Sequence, residues 1–521
     1  MKDTIKRLSY LVALLFVFSG CSEDELIDLN VNPNASDDID MEFLFAKGTI
    51  AITENGGMFI RAQHIYAGNM IQLNADVDAF PQGDKYFYNA GYSGAMWDAY
   101  YGDAIKQLTH VVDRTSGDAD QSNLYAMALT MRTYVLFRLT DMYGDIPYQQ
   151  AGRGLNGQEN WFPAYDTQQD IYGFIVNDLR EARGLLSASG ENLGAQDLVF
   201  GGDTGLWKRF INSLLVRVGM RLTKIDLALA RSIVEEAAGD SNGLISSLAE
   251  DAFIVHQPGS SGRQNGITTP LVQSEVYARN MRPSATLIDW MANGNDPRLS
   301  IISGGTGDPF DLGTWNTSQH VGLPNGLDGN TAPQYAIDQG LIANAADYTI
   351  NLFSFINPLI MDVDDPAYLL SYGEVELNLA EAAVRGWNVG GSATEHFEAG
   401  VRAAIDKWVA FDGSLAVASA TTDAYLAGID FANAANQLEL IGEQYWAAQY
   451  YDGIEAWYNW RRTGFPALTP ISYPGNYTGG TIPRRLQYSE SEIGSNPDNY
   501  SQAINRQGAD NFTTRVWWDA Q

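Results

Sequence analysis

Apolar residues recur at intervals of three and four along several long stretches of this chain, whereas strand-like alternation is scarce. The stretches are 120–143, 166–186, 205–224 with 227–238, 368–387 with 393–411, and 435–462. Helix pairs that cannot bury their apolar faces alone stack into a superhelical scaffold, of which the tetratricopeptide repeat is one form. The spacing therefore predicts a mainly α fold built on tetratricopeptide-like helical hairpins, although no strict repeat period is visible.

Four intervening stretches are rich in Gly, Asn, Asp, Ser and Pro, which favour turns over helices. They are 74–94, 239–283, 303–362 and 466–521. Long irregular stretches inside a compact protein are usually functional or disordered, and the high density of aromatic residues argues against disorder here. We therefore expect residues 41–521 to form a single domain, in which helices are the scaffold and long ordered insertions form a ligand surface.

The N-terminal residues 1–20 have the layout of a secretory signal peptide: a basic start, an apolar run too short to span a bilayer, and a small pair. Cys21, the only cysteine, follows directly, and this arrangement is similar to the lipobox of bacterial lipoproteins. We predict that Cys21 is acylated and anchors the protein to a membrane. The alternative is an ordinary signal peptide followed by a chance cysteine. Residues 21–40 are polar and acidic, which indicates a solvated tether between lipid and fold.

The formal net charge of −31 repels nucleic acid and anionic lipid headgroups, so we expect neutral or zwitterionic ligands and no nucleic acid. The sequence contains no HExxH metal motif and no Walker A loop. Its five histidines are far apart and show no ligand spacing: His64, His110, His256, His320 and His396. We therefore predict neither catalytic residues nor a cofactor. A surface hydrolase with an unrecognised pair of carboxylates is the alternative.

One acidic cluster, Asp362, Asp364 and Asp365, has side chains of the type that binds calcium. It lacks the Gly and the terminal Glu of a calcium-binding loop, so we interpret it as a solvated turn before Pro366. A structural calcium at this position is the open alternative.

Several longer strings resemble one known family. They are DMYGDIPY at 141–148, YDTQQDIYGFIVNDLREA at 165–182, SATLIDWM at 284–291 with NDPRL at 295–299, SYGEVELNLAEAAVRGW at 371–387, IGEQYWAAQYYDGIEAWYNWRRTGFP at 441–466, IPRRLQY at 482–488 and VWWD at 516–519. In this order they resemble the SusD/RagB-like family of outer-membrane nutrient-binding lipoproteins, in its SusD-like_2 branch.

This resemblance implies a lipoprotein exposed on the outer membrane of a Gram-negative bacterium. Such a protein captures a glycan, or in some relatives a peptide, and caps a TonB-dependent SusC-type barrel as a lid. The family fold is mostly helical, with four tetratricopeptide-like hairpins that support irregular loops. The resemblance thus agrees with the hairpins predicted from apolar spacing.

Sugar rings present apolar C–H faces that stack on flat side chains, while Asn, Asp and Arg bind the hydroxyl groups. Our candidate ligand-binding residues lie in the irregular stretches. They are Asn74, Asp76, Tyr86, Tyr88, Tyr92, Tyr277, Arg279, Asn280 and Trp315. The alternative for each aromatic residue is that it pins its own loop to the scaffold.

Other aromatic residues lie in or beside helical stretches or in the family's terminal string, and we assign them to packing. They are Trp97, Tyr100, Tyr101, Trp446, Trp457, Trp460, Trp517 and Trp518. Arg461 and Arg462 resemble an anion site, but their helical context indicates that they satisfy buried carboxylates or carbonyls.

Replacing the predicted lipid attachment site tests the anchor. Cys21→Ser should abolish acylation and release the protein from the membrane fraction without unfolding it, because residue 21 precedes the folded part of the chain. Metabolic labelling with a fatty-acid probe measures the modification. A wild-type protein that takes up no label would refute the lipoprotein prediction.

Overall fold

The computed structural model describes residues 39–259 and 263–520. The predicted signal peptide, Cys21 and the tether up to residue 38 lie outside the described residues. Helices dominate the described part. The α-helices of ten or more residues are α1 Met41–Ile50, α2 Ile105–Thr115, α3 Ser122–Tyr143, α4 Gln168–Leu185, α5 Thr204–Arg221, α6 Leu227–Ala238, α7 Ala285–Gly294, α8 Tyr372–Val384, α9 Ala393–Asp406, α10 Ser419–Ile429, α11 Gln437–Ala448, α12 Gly453–Thr463 and α13 Pro497–Gln507. The predicted mainly α fold is confirmed.

Short elements fill the connections. Two segments are π-helical, Phe59–Gly68 and Tyr100–Ala104, and shorter α-helices include Pro81–Asp84, Ala90–Ser93, Glu275–Asn280 and Glu490–Ser495. The strands are β1 Asn74–Ala75, β2 Ala252–Ile254, β3 Arg282–Pro283, β4 Ser303–Thr306, β5 Ser354–Ile356 and β6 Ala367–Leu370. They form three antiparallel pairs, β1 with β3, β2 with β6, and β4 with β5. Among the helices of residues 39–259 and 263–520, none is long and apolar enough to cross a membrane.

Consecutive helices pack on one another, as the hairpin prediction requires. The contacts join α2 with α3, α3 with α4, α5 with α6, α8 with α9, and α11 with α12. Side-chain caps start many of these helices, such as Asp203 at α5, and Ser392 with Glu395 in a capping box at α9. Polar residues at helix starts thus divide the apolar pattern into separate helices.

Helix α13 lies in the stretch 466–521, which we expected to be irregular. Two other predicted boundaries also differ from the structure. Residues 368–370, which we expected to begin a helix, belong to strand β6 because they pair with β2, and Ser371 then caps α8. The stretch 435–462 is two helices, since Asp452 caps α12 by accepting a hydrogen bond from the Glu455 N–H (3.1 Å). In both cases a long-range pair or a cap overrides the local periodicity.

Helix α3 lies at the centre of the scaffold and is buried along almost its whole length. It ends at Gly144, whose φ of +88° and close neighbours both require glycine: a Cβ here would lie 1.7 Å from Gln507 Oε1. Gln507 of α13 donates to the Tyr143 carbonyl (3.0 Å) and accepts from the Asp145 N–H (2.7 Å). The last long helix therefore closes the end of the central one.

Buried charges connect the scaffold helices. Arg221 on α5 donates to Asp141 Oδ2 on α3 (2.9 Å) and to Glu455 Oε1 on α12 (2.6 Å). Asp141 Oδ1 also accepts from the indole N–H of Trp518 (2.7 Å) and from the hydroxyl of Tyr172 on α4 (2.6 Å). We call Asp141, Arg221 and Glu455 the central ion triad. Because its charges are hydrogen-bonded on several sides, it specifies how four helices and the C-terminal segment meet.

The residues assigned to packing behave as predicted. Trp97, Tyr100, Trp446, Trp457, Trp460 and Trp518 are buried, and Tyr101 and Trp517 are partly buried. Arg461 donates to the carbonyl oxygens of Arg484 and Asp141 (both 2.6 Å). Arg462 forms a bidentate pair with Glu381 (2.6 Å for each bond). The structural interpretation of both arginines is confirmed.

Breaking the central ion triad should destabilise the whole fold. Arg221→Met should lower the free energy of unfolding by about 3 to 5 kcal/mol, because Asp141 and Glu455 would remain buried without their cation. The matched control is Arg231→Met on α6, which removes a solvent-accessible pair with Glu235 and should leave the free energy of unfolding almost unchanged. Denaturant titration measures both values, and equal losses in the two variants would contradict a central role for the triad.

Candidate ligand-binding surface

The predicted contact residues divide according to their exposure. Asn74, Asp76 and Tyr86 are buried. A buried side chain offers no surface to a ligand, so the prediction of direct contact is wrong for these three. The other six keep exposed area, and ligand contact stays a prediction for them: Tyr88, Tyr92, Tyr277, Arg279, Asn280 and Trp315.

The buried residues hold the insertion 74–94 in place. Asn74 Oδ1 accepts a hydrogen bond from the Tyr450 hydroxyl (2.8 Å), which ties β1 to the scaffold. Asp76 Oδ1 accepts from the Phe80 N–H (3.0 Å). Burial raises the pKa of Asp76 to about 7. Both side chains therefore act on the shape of the insertion rather than on a ligand.

A buried ion pair lies beneath the same insertion. Lys85 Nζ donates to Asp84 Oδ2 (3.0 Å) and to the carbonyl oxygens of Asp76 (2.9 Å) and Val77 (2.7 Å). Asp84 also accepts from the N–H of Gly326 (2.8 Å), in a different insertion. Because both charges are buried and hydrogen-bonded, this pair holds the two insertions together.

Tyr86 joins the insertion to a third segment. Its hydroxyl oxygen accepts from the Ile471 N–H (3.1 Å), and its carbonyl oxygen accepts from the Tyr477 N–H (2.8 Å). Residues 471–477 are therefore held beside residues 86–92. Here the alternative interpretation, an aromatic residue that pins its loop, is the correct one.

Tyr88 and Tyr477 form an exposed stacked pair. Their ring centroids are 5.3 Å apart with an angle of 25° between the planes, and the residues are 36% and 46% exposed. Both rings meet the buried Phe512 at steep angles, at centroid distances of 5.9 Å and 5.4 Å. The result is a cluster of three aromatic rings in which Phe512 is buried and Tyr88 and Tyr477 are open to solvent.

Tyr92 and Tyr277 extend this aromatic surface. The guanidinium of the exposed Arg61 lies 5.6 Å from the centroid of the Tyr92 ring, and Tyr277 packs against Phe80 at 4.5 Å. Burial raises the pKa of Tyr277, and the charge of Tyr92 adds to the rise. We call Tyr88, Tyr92, Tyr277 and Tyr477, with Arg61 and Phe80, the tyrosine platform.

Buried Tyr66 connects the two halves of the platform. Its ring contacts Tyr92 edge-on at 6.4 Å and Phe512 at 5.6 Å. Its hydroxyl donates to the Phe87 carbonyl (3.1 Å) and accepts from the Asn89 N–H (2.9 Å). The π-helix that carries Tyr66 thus positions the backbone on both sides of Tyr88.

Arg279, Asn280 and Trp315 are held by neighbours of their own. Arg279 forms an ion pair with Asp308, whose carbonyl oxygen accepts from the Trp315 indole N–H (2.6 Å). Trp315 also packs against Phe355 at 4.9 Å, and Asn280 donates to a carbonyl of its own helix. Trp315 therefore holds its loop in place through its indole N–H and its contact with Phe355. Only the part of the ring that remains exposed is available to a ligand.

Sequence reasoning missed four residues of this surface: Arg61, Phe80, Tyr477 and Phe512. Tyr477 stands in a stretch rich in Gly, Asn and Pro, so the signal that selected Tyr88 applied to it equally. Arg61 lies in a helix, where an exposed arginine has no distinguishing pattern. Only the fold places it over Tyr92.

The acidic cluster 362–365 forms a turn held by its own hydrogen bonds. The Asp362 N–H donates to Asp365 Oδ2 (2.6 Å), and the Val363 N–H donates to Asp362 Oδ1 (2.8 Å). Within the described ranges, no group of three or more His, Cys, Asp or Glu side chains is arranged to hold a metal. The turn interpretation accounts for the geometry, and a bound calcium stays an untested alternative.

Two glycine strings match enzyme motifs by their letters alone. Residues 152–157 have the spacing GxGxxG, and residues 239–243 have the spacing GxSxG. The first forms part of a loop, and the second follows the end of α6 in a turn. Neither has the strand, turn and helix that the corresponding nucleotide-binding or nucleophile sites require. We assign no chemistry to either string.

The described residues thus form a helical scaffold that carries aromatic side chains on hydrogen-bonded insertions. The chain belongs to the SusD-like_2 family, whose description is starch-binding associating with outer membrane and whose family model matches residues 33–489. The resemblance inferred from the sequence strings is thereby confirmed. No curated protein matches the chain significantly.

Solved structures have the same fold. A chitin-binding protein is 31% identical with a TM-score of 0.81, and the alignment covers 92% of this chain and 100% of that one. A SusD homolog from Bacteroides uniformis is 24% identical with a TM-score of 0.75, covering 93% and 100%. A chitin-binding SusD homolog from Flavobacterium johnsoniae is 24% identical with a TM-score of 0.75, covering 92% and 99%.

The stability of the fold should depend on the protonation of Asp365. Burial, with the charges of Asp362 and Asp364, raises the pKa of Asp365 to about 7. The folded state then binds this proton more tightly than the unfolded state, so stability should fall as pH rises from about 4 to about 7. Thermal melts of Asp365→Asn should show a smaller pH dependence than those of the wild type.

Asp120→Asn is the control, because Asp120 is exposed and does not belong to the acidic cluster. The same pH dependence in wild type and Asp365→Asn would contradict the assignment. Calcium added at pH 8 tests the remaining alternative, since a bound ion would raise the melting temperature of the wild type but not of Asp365→Asn.

Proposed function

We propose that this protein binds a glycan on the tyrosine platform and does not transform it. The observation that carries the proposal is the exposed stacked pair, Tyr88 and Tyr477, supported by Phe512. In the free protein these two aromatic rings expose apolar surface to water, which is unfavourable. Such exposed apolar surfaces mark binding sites. A sugar ring covers this surface with its apolar C–H face.

The polar groups around the platform suit the hydroxyl groups of a sugar. Tyr88, Tyr92 and Tyr277 carry phenol groups that donate and accept hydrogen bonds, and Arg61 adds a fork of donors. The net charge of −31 disfavours an anionic ligand, whereas a neutral oligosaccharide pays no electrostatic penalty. An aromatic centre with a few polar groups at its margin is the general plan of a small-molecule site.

The first ligand to test is a chitin oligosaccharide. The support is the solved chitin-binding protein, which is 31% identical and aligns over 92% of this chain. Peptide remains the alternative ligand within the family, and a peptide pool belongs in the same binding assay. Incubation of bound oligosaccharide followed by product analysis separates binding from hydrolysis, since a binding protein leaves the chain length unchanged.

We place this binding role at the cell surface, with the protein anchored by a lipid on Cys21. The family description associates its members with the outer membrane. In this proposal the protein acts as a lid that delivers the glycan to a TonB-dependent SusC-type barrel. Copurification of such a barrel with the tagged, lipidated protein from outer-membrane extracts tests the partnership.

Removing one ring of the stacked pair should weaken glycan binding without unfolding the protein. Tyr477→Ala should lower the affinity for a chitin oligosaccharide about 5- to 150-fold, the effect of losing an aromatic hot spot worth about 1 to 3 kcal/mol. Titration calorimetry measures the affinity, and a thermal melt shows whether the fold is kept.

The matched control is Phe43→Ala, which removes an exposed aromatic ring from α1, outside the platform. Its affinity should equal that of the wild type. Unchanged affinity in Tyr477→Ala, for a wild type that does bind, would show that the ligand lies elsewhere.

A further inference from the structure

We propose that the cavity beside Trp161 is a second sugar-binding subsite, separate from the tyrosine platform. This inference rests on the proposed glycan-binding function and extends it. The cavity has a volume of about 350 Å³, which lies at the lower end of the range for small-molecule sites. It lies between the loop 150–163, Trp97 and the short helix Glu490–Ser495.

Trp161 is the main observation. It is 57% exposed, which is unusual for so large an apolar side chain. Its indole N–H donates to the Gly154 carbonyl (3.1 Å), so the ring is oriented without being buried. An aromatic ring that is fixed in direction but uncovered loses little entropy when a ligand stacks on it.

The loop that carries Trp161 is held firmly at its beginning. Arg153 Nη2 donates to Asp113 Oδ1 on α2 (3.0 Å), and Asn156 Nδ2 donates to Asp113 Oδ2 (3.0 Å). Gly152 has φ of +74°, and a Cβ there would lie 2.8 Å from Thr109 Oγ1, so the loop approaches α2 closely. These contacts preorganise the ring of Trp161 for a ligand.

The same loop is held at its other end by helix α13 and the residue before it. Asn496 Nδ2 donates to the Pro163 carbonyl (2.9 Å), and Asn499 Nδ2 donates to the Phe162 carbonyl (3.0 Å). Both ends of the loop are thus held by side-chain hydrogen bonds, which fixes the position of Trp161 between them.

The interior of the cavity combines aromatic and polar groups. The partly buried Tyr101 lines the cavity, and the buried Trp97 supports it from the core side, with ring centroids 4.6 Å apart. Gln150, Asn160 and Glu492 supply polar side chains around it. Aromatic carbon with amide and carboxylate groups is the composition that suits a sugar, whose faces are apolar and whose edge is hydroxylated.

Glu492 supplies an unused hydrogen-bond acceptor. Among the described residues, Glu492 Oε1 has no hydrogen-bond partner although it is buried. Burial raises the pKa of Glu492, because desolvation disfavours the charged carboxylate. A sugar hydroxyl that reaches this carboxylate from the cavity would supply a partner for the unbonded oxygen.

The platform and the cavity are connected through the segment 487–492. Ser93, next to Tyr92 of the platform, donates to the Gln487 carbonyl (2.8 Å). Glu492, five residues further on, lines the cavity. A glycan long enough to reach both sites would be held at each of them, so each should contribute to its retention.

Affinity electrophoresis in gels containing soluble glycol chitin tests the inference. Trp161→Ala should weaken retention about 5- to 30-fold, as expected for the loss of one aromatic anchor, while its melting temperature stays that of the wild type. Trp161→Phe should keep most of the affinity because it keeps a flat ring. Glu492→Gln should weaken binding less than Trp161→Ala does.

Phe162→Ala is the matched control. Phe162 is 60% exposed in the same loop but does not line the cavity, so its loss should leave retention unchanged. Equal retention of wild type, Trp161→Ala and Phe162→Ala, together with loss in Tyr477→Ala, would overturn the second subsite and leave the platform intact. Loss in Trp161→Ala with normal retention of Tyr477→Ala would support the cavity and refute the platform.

A wild type that is not retained by any glycan would overturn both the proposed function and the subsite. A protein partner is the competing occupant of the exposed aromatic residues. If Trp161→Ala and Phe162→Ala both lose a copurifying barrel while glycan retention is unchanged, the loop is a protein contact and the subsite is refuted.

Discussion

The contact of Arg221 with Asp141 and Glu455 is the interaction on which the rest of the structure depends. Isolated buried charges are expensive, and this triad is tolerable only because α3, α5 and α12 meet in one arrangement that pairs them. The indole of Trp518 adds the C-terminal segment to the same carboxylate. The triad therefore selects one packing of the hairpins among the many that apolar faces alone would allow.

Buried, hydrogen-bonded charges also hold the ligand surface together, in smaller groups than the central ion triad. Lys85 and Asp84 form a buried, hydrogen-bonded pair that joins two insertions, and Tyr86 joins a third. Segments without helices or long strands are ordered here because buried polar groups tie their backbones together. The exposed Tyr88 and Tyr477 gain fixed positions from this support, although the two rings themselves remain in contact with water.

The hairpin scaffold was predictable because a helix with one buried face shows its apolar spacing within a short stretch of sequence. The interpretation of Arg461 and Arg462 succeeded for the same reason, since a charged residue on an otherwise apolar helix face must find a buried partner. The binding surface was only partly predictable. Tyr86 and Tyr88 share one stretch and one composition, yet the first is buried and the second is exposed.

The sequence by itself determined the helical class of the fold, the family, the acidic charge that disfavours anionic partners, and the aromatic-rich stretches from which a ligand surface could arise. Only the tertiary structure decided which aromatic rings face solvent, which of them lie side by side, and that Arg61 lies over Tyr92. The physical reason is the range of the interactions. Helix formation and charge depend on nearby residues or on composition, whereas Tyr88 meets Tyr477 only after the whole scaffold has folded between them.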